Sequence, residues 1–264
     1  PGSSQDSYQF HGEQQFTQAI LQVTEGVKQQ LTFLQGHGEP NPGNTFSQAS
    51  QMIQGEGYQI GTVNLATEGK VPAKTGILAI AGPTQDISDK EKEILDQYLQ
   101  KGGKLLALLS PTEHTLPNLS DLLAKWGVQP QENLVVDPKR SYFNDPLTPV
   151  PEYEFHEITS KLQDQQRAMI LPESCGLAEK KKKGLAISPL LKTSDDAWGE
   201  TDLTQANAKK DKDDTSGPLT LAYAVEAEKQ PSNGKDQSNK EKAEEGAKLV
   251  VLGNSTLLDS RLFS

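Results

Sequence analysis

The chain has 264 residues, enough for one large α/β domain or two small ones with a substantial core. A formal charge of −10 argues against nucleic acid, because affinity for phosphate backbones draws on clustered Lys and Arg; the basic run Lys180 to Lys183 reads as a solvated turn between strands. The single cysteine, Cys175, rules out an intrachain disulfide, and no run of about 18 apolar residues is present to span a membrane.

Counting the 22 glycines with the 34% hydrophobic residues brings the apolar fraction to about 42%, below the roughly 45 to 50% of ordinary domains. Some segments must therefore be unusually polar. Gln205 to Ser216 and Glu226 to Gly246 fit that need, and both read as solvated loops that bury too little apolar surface to offset their ordering entropy. The opening Pro1-Gly2-Ser3-Ser4 reads as the remnant of a cloning or protease site, with no signal peptide, so the chain reads as an excised soluble portion of something larger.

In chain order, Phe16, Ala19, Ile20, Val23 and Val27 recur at spacings of three and four, which predicts an amphipathic helix over His11 to Gly26. Leu31, Phe33 and Leu34 then predict a buried strand, followed by the loop Gly36-His37-Gly38-Glu39. Thr45 or Ser47 is placed to cap a helix carrying Phe46, Ala49, Met52 and Ile53 on one face, ended by Gly55 and Gly57. Tyr58, Ile60 and Val63 to Leu65 predict a second strand, and the continuous apolar run Gly76 to Ala81 a strand covered on both faces. Ser88 with Glu91 is a capping box for a helix that continues through Leu99 to Gly102-Gly103. Lys104 to Leu109 predicts another strand, Leu119 to Trp126 a helix, and Leu134 to Val136 a strand closed by Asp137-Pro138.

This alternation over 30–138 predicts a mainly parallel sheet with helices on both faces. Beyond it, Phe155 to Leu162 predicts a short helix, and Ala168 to Leu171, Leu185 to Leu191, Leu219 to Val225 and Lys248 to Leu252 predict strands. We read 1–29 as tag remnant and helix, and 30–264 as one domain in which 139–264 extends the sheet.

The loop after the first strand is the leading candidate site, because ligands of open parallel sheets bind outside the carboxyl ends of the strands. Gly36 and Gly38 permit unusual backbone angles, and His37 and Glu39 are expected to project from the loop. Gly253, Asn254 and Ser255 follow the last strand and reach the same edge if that strand is parallel. A metal reading combines His37 and Glu39 with His11, His114 or His156, but no ligand spacing supports it. Cys175 sits in a turn after a strand-like run, yet Pro172 loosens that turn and no helix starts at the cysteine to lower its pKa. Walker A and G-x-G-x-x-G patterns are absent, and no cofactor is expected.

The segments FLQGHGE at 33–39, LAIAGPTQDISDKEKEILDQYLQKGGKLLALLSP at 78–111, LPNLSDLLAKWGV at 116–128 and LVVDP at 134–138 resemble the auxiliary domain of gliding-motility-type (GldG-like) ABC transport systems. LLKTSDDAWGE at 190–200, SGPLTLAYAVE at 216–226 and KLVVLGNSTLL at 248–258 agree in order. The resemblance implies a flavodoxin-like or class I glutamine amidotransferase-like fold, related to the GIFT domain of an intraflagellar-transport scaffold. It also implies an extracytoplasmic, periplasmic domain held by transmembrane helices missing from this chain, beside an ABC permease and its ATPase. Relatives often carry Gly-Asp-Ser where this chain has Gly253-Asn254-Ser255.

The reading that follows is a non-catalytic binding or coupling module whose rim is Gly36, His37, Gly38, Glu39, Asn254 and Ser255, taking a glycan, a peptide or a partner loop. Its competitors are a cysteine-dependent amidotransferase or hydrolase using Cys175 with His37 or His156, and a purely structural protein adaptor.

Overall fold

The computed structural model describes residues 30–112, 114–202, 209–228 and 246–263. The helix expected over His11 to Gly26 lies outside the described residues. So do 205–208 of the first polar stretch and 229–245 of the second, while Thr215–Ser216 and Glu226–Ala227 at their flanks are in ladders.

The first half follows the expected alternation. Strand β1 (Gln30–Leu34) leads to helix α1 (Ser47–Gly55), β2 (Gln59–Val63), the single-turn α2 (Leu65–Glu68), β3 (Thr75–Ala81), α3 (Asp89–Gln100), β4 (Lys104–Leu108) and α4 (Pro117–Lys125). A run of short strands follows: β5 (Val128–Pro130), β6 (Leu134–Val136), β7 (Ser141–Tyr142), β8 (Asp145–Pro149) and β9 (Glu152–Tyr153). Helix α5 (Glu157–Asp164) precedes β10 (Leu177–Glu179), β11 (Leu185–Lys192), β12 (Trp198–Glu200), β13 (Thr215–Ser216), β14 (Thr220–Ala227) and β15 (Lys248–Leu252).

The main sheet is mixed rather than mainly parallel. In the order β2-β1-β3-β4-β15 every neighbour is parallel, but β15 then pairs antiparallel with β14, which pairs antiparallel with β10 and β11. β5 and β9 complete the edges, again antiparallel. The physical reason is connectivity: parallel neighbours need a crossover of a dozen residues or more, and the second half offers one helix, α5, among short strands. Contrary to the expectation that it belongs to the main sheet, β6 pairs with β12, the central strand of a separate three-stranded sheet whose other edge is β13. Ala168 to Leu171 forms no ladder, although Met169 and Leu171 are fully buried.

Side chains alternate across the parallel half into two apolar layers. Leu31, Phe33, Ile77 and Ala79 pack with Phe46, Ala49 and Ile53 of α1 and with Ile158 and Leu162 of α5. Leu34, Leu78 and Ile80 pack on the other face with Leu95 and Leu99 of α3 and Leu119, Leu122 and Leu123 of α4. Each fully buried Leu, Ile or Phe among them contributes roughly 1.5–3 kcal/mol.

Local chemistry sets the helix ends. The capping box of α3 forms: Glu91 N donates to Ser88 Oγ (3.3 Å), and Ser88 N donates to Glu91 Oε2 (2.9 Å). Asn64 caps α2 by accepting from the amides of Ala66 (3.0 Å) and Thr67 (3.3 Å). The N-cap of α1 is Phe46, not Thr45 or Ser47, and it makes no side-chain cap. Instead Ser260, distant in sequence, accepts from Gln48 N (3.1 Å) and closes that helix end.

Candidate functional site

The carboxyl ends of β1, β3, β4 and β15 lie side by side, and the strand order reverses between β1 and β3, the position where open α/β sheets leave a ligand crevice. Here the protein's own side chains fill it. His37 O accepts from the amides of Thr84 and Gln85, both at 2.9 Å, which closes the loop after β1 onto the loop after β3. Gly38 adopts φ +81° and packs so tightly that a Cβ there would lie 2.0 Å from Thr84 Oγ1, so glycine is required by both angle and space.

His37 and Glu39 do not project from the loop as expected. Their side chains are 8% and 1% exposed, because each polar atom finds a partner inside. His37 Nδ1 lies 3.2 Å from Glu39 Oε1, and Nε2 lies 3.2 Å from the Glu91 carboxylate. Glu39 Oε2 also accepts from His37 N at 2.8 Å, while Glu91 Oε2 accepts from Ser88 N and, at 2.7 Å, from Ser88 Oγ. With a carboxylate facing each ring nitrogen, the imidazolium form is favoured. The hydrogen bond His37 donates to Glu39 raises the His37 pKa above 6.5, burial opposes the rise, and Glu91 adds to it. Burial pushes the Glu91 carboxyl up, but the Ser88 bonds and His37 outweigh it and hold the pKa below its ordinary value. A ring donating from both nitrogens has no lone pair for a metal or for general-base work.

At the other side of the edge, Asn254 is fully buried and works as a tie. Its Nδ2 donates to Pro172 O (2.5 Å) and Ser174 Oγ (3.3 Å), and its Oδ1 accepts from Leu257 N (2.9 Å). Only an amide both donates and accepts here. An aspartate would face the Pro172 carbonyl with a second acceptor, so the asparagine has a structural reason. Ser255 N donates to Ser110 Oγ (3.1 Å), and the two hydroxyls are 2.7 Å apart. A Cβ on Gly82 would lie 3.0 Å from Ser255 Oγ and 3.5 Å from Pro40 Cδ, so the two strand-end loops converge around Gly82. The sequence-selected residues are thus brought to one edge. Gly36 and Gly38 are exposed there and Ser255 half-buried, while the side chains of His37, Glu39 and Asn254 point inward.

An open volume lies beside this seam. A cavity of about 250 Å³ is lined by Leu109 to Thr112 after β4, His114 to Leu116 and Ser120 at α4, Gln131 to Asn133 after β5, Cys175 and Thr201. Asn133 is 3% exposed, and its Oδ1 is fixed by Gly176 N (2.9 Å). Its Nδ2 donates no hydrogen bond among the described residues.

Cys175 is 3% exposed, and burial pushes its thiol up to about 12, the reverse of what a nucleophile needs. Neither histidine proposed as its base is presented to it: His37 is held between carboxylates, and His156 Nδ1 accepts from Ile158 N (3.1 Å) as the cap of α5. His114 shares the cavity with Cys175, a placement that sequence spacing did not reveal. Ser110, Gln131 and Asn133 line it too, and no sequence pattern joins them. The turn signal Ser110-Pro111 at a strand's carboxyl end was the one available hint.

The family described as an ABC-type uncharacterized transport system matches residues 28–263. No curated relative matches the chain in sequence. Among solved structures, the mmIFT52 N-terminal domain is similar in fold, with a TM-score of 0.58 at 15% identity over 88% of this chain and 89% of that one.

Proposed function

Because the chain belongs to the ABC-type uncharacterized transport system family, we propose that it is a non-catalytic recognition and coupling domain of such a system. It stands on the extracytoplasmic side of a membrane, next to a permease and its ATPase, and takes a peptide segment or glycan at the carboxyl edge of its sheet. The flavodoxin-like part of the reading is supported by the order β2-β1-β3-β4-β15 with its reversal beside β1. Residues 30–264 act as one unit in this reading, supported by β15 pairing with strands of both halves.

The observation that carries the proposal is the preformed, part-apolar cavity beside the converging strand-end loops, in which Cys175 is buried with its thiol pushed up to about 12. The rim of exposed Gly36 and Gly38 and half-buried Ser255 borders the seam, and the buried His37 cluster holds the loop of the two glycines in place.

The test is calorimetric titration of the purified chain with synthetic peptides copying the external loops of the neighbouring permease, and with oligosaccharides. Gln131→Trp fills the cavity from its half-buried wall. Loss of binding in that variant, with melting temperature retained, is the expected result. Binding that is unchanged in Gln131→Trp and in a Gly36→Ala, Ser255→Ala double variant sinks the carboxyl-edge assignment.

A further inference from the structure

A second pocket, sharing no lining residue with the first, lies between the base of the β7–β8 hairpin, β9 and the end of α5, with a volume of about 400 Å³. The chain carries 23 lysines and only three arginines, Arg140, Arg167 and Arg261. Two of those three line this one pocket, and no lysine does. The third, Arg261, is forked onto Asp259. Guanidinium differs from ammonium in presenting a planar fork that matches the two oxygens of a carboxylate or phosphate, so this placement is informative where a lysine would not be.

The two guanidiniums differ in availability. Arg140 is ion-paired with Glu152, whose side chain is 62% exposed at the pocket edge. Arg167, half-buried, has no carboxylate partner among the described residues. Its backbone is fixed: Gln166 takes φ +51°, and Arg167 N donates to Leu162 O (3.1 Å), so the chain folds back over the last turn of α5. Those bonds, with Gln165 N to Lys161 O and Gln166 N to Gln163 O, also occupy the helix's terminal carbonyls, which would otherwise repel an anion. Val150, Pro151 and Leu162 supply an apolar wall. Two guanidiniums against one carboxylate leave a single net positive charge, in a chain of net charge −10.

We propose that this pocket is a binding site for a small monoanionic carboxylate ligand, whose carboxylate is held by the fork of Arg167 with Arg140 as the second cation, and whose carbon skeleton rests on the apolar wall. The site is separate from the carboxyl edge of the sheet and stands or falls independently of the function proposed there.

The test is an ¹H–¹⁵N NMR titration of the chain with glucuronate as carboxylate probe, glucose as its neutral counterpart and inorganic phosphate as the more highly charged oxyanion. Glucuronate is expected to shift the amides of 163–168 saturably, and glucose is not. Arg167→Gln is expected to weaken binding about tenfold or more, and Arg167→Lys to restore little of it, because a point charge does not replace the fork. Ala168→Trp, at an exposed lining position, fills the pocket and is expected to abolish the shifts with the fold intact. No saturable shift with glucuronate, equal shifts with glucose, or undiminished affinity in both Arg167→Gln and Ala168→Trp overturns the proposal. Tighter binding of phosphate than of glucuronate overturns the carboxylate assignment.

Discussion

Replacing His37 with leucine removes a cation held between two carboxylates that are themselves 1% and 5% exposed. Each lost contact is a hydrogen bond to a charged group at 3.2 Å, worth about 1.5–3 kcal/mol. Breaking a buried pair costs about 3–5 kcal/mol in general, because the remaining charge is left uncompensated. Here the residual penalty is softened. Glu39 keeps the amide of residue 37, and Glu91 keeps both Ser88 donors. The expected loss is therefore about 3 kcal/mol near pH 6, at the low end of that range. The sign with pH follows from the shifts. His37 has its pKa raised, so its stabilisation is complete below 6.5 and is lost as pH rises through the folded-state value. Glu91 has its pKa lowered, so its share is present above 4.5 and is lost as pH falls through its folded-state value. Urea denaturation of both proteins at pH 5.5, 7 and 9 measures the difference, which should shrink towards pH 9. A loss below about 1 kcal/mol, or one that is the same at pH 5.5 and pH 9, refutes an imidazolium held between carboxylates.

Three further outcomes are expected. The Cys175 thiol, pushed up to about 12 from an ordinary 9.0, should react with a disulfide reagent at pH 7.4 about a thousandfold more slowly in the native chain than in urea; near-normal native labelling would revive the cysteine-enzyme reading. Gly253→Ala puts a Cβ 2.0 Å from the Cys175 carbonyl oxygen, a backbone atom that does not swing aside, so this variant should lose most of its cooperative melting transition by calorimetry. Asp137 is fully buried and accepts from Ser194 Oγ (2.6 Å), Ser194 N (2.8 Å), Arg140 N (3.0 Å) and Lys139 N (3.2 Å), so Asp137→Ala should cost about 3 kcal/mol or more in denaturant midpoint experiments, and a neutral result would deny it that anchoring role.

The parallel half was legible because its signals are local. A five-residue apolar run, a capping box spanning four residues and a glycine after the helix each announce themselves within one window, as Ser88, Glu91 and Gly102 do. The second half carries its information across distance. β5, β7, β9, β10, β12 and β13 have two or three residues each, too short for a period-2 pattern to register, and several pairings join distant segments, as Leu177 to Glu179 with Val128 to Pro130 and Trp198 to Glu200 with Leu134 to Val136. Met169 and Leu171 read as a strand because burial and strand share the same apolar alphabet; they are buried without a ladder. The helix end at α1 was misassigned because its cap hydroxyl comes from Ser260, beyond the reach of any local motif. At the candidate site, glycines and strand ends marked the carboxyl edge at which the loops after β1 and β15 converge. The sequence carried no sign that Glu91, chosen there only as a capping residue, turns back to hold His37 from 54 positions away.

The position of β15 sets the order in which this molecule can be completed. It is the last strand in the described chain, yet it lies between β4 and β14, with a full five-residue register on each side. A ribosome releasing this chain exposes the parallel and antiparallel halves first, each with an open edge where β15 belongs. Until residues 248–252 emerge, β4 and β14 are two unpaired templates for any extended segment that passes. The exposed interval is also the period in which a chaperone or a partner strand competes for the same slot, so completion of the sheet is a late, long-range event and high contact order governs its rate.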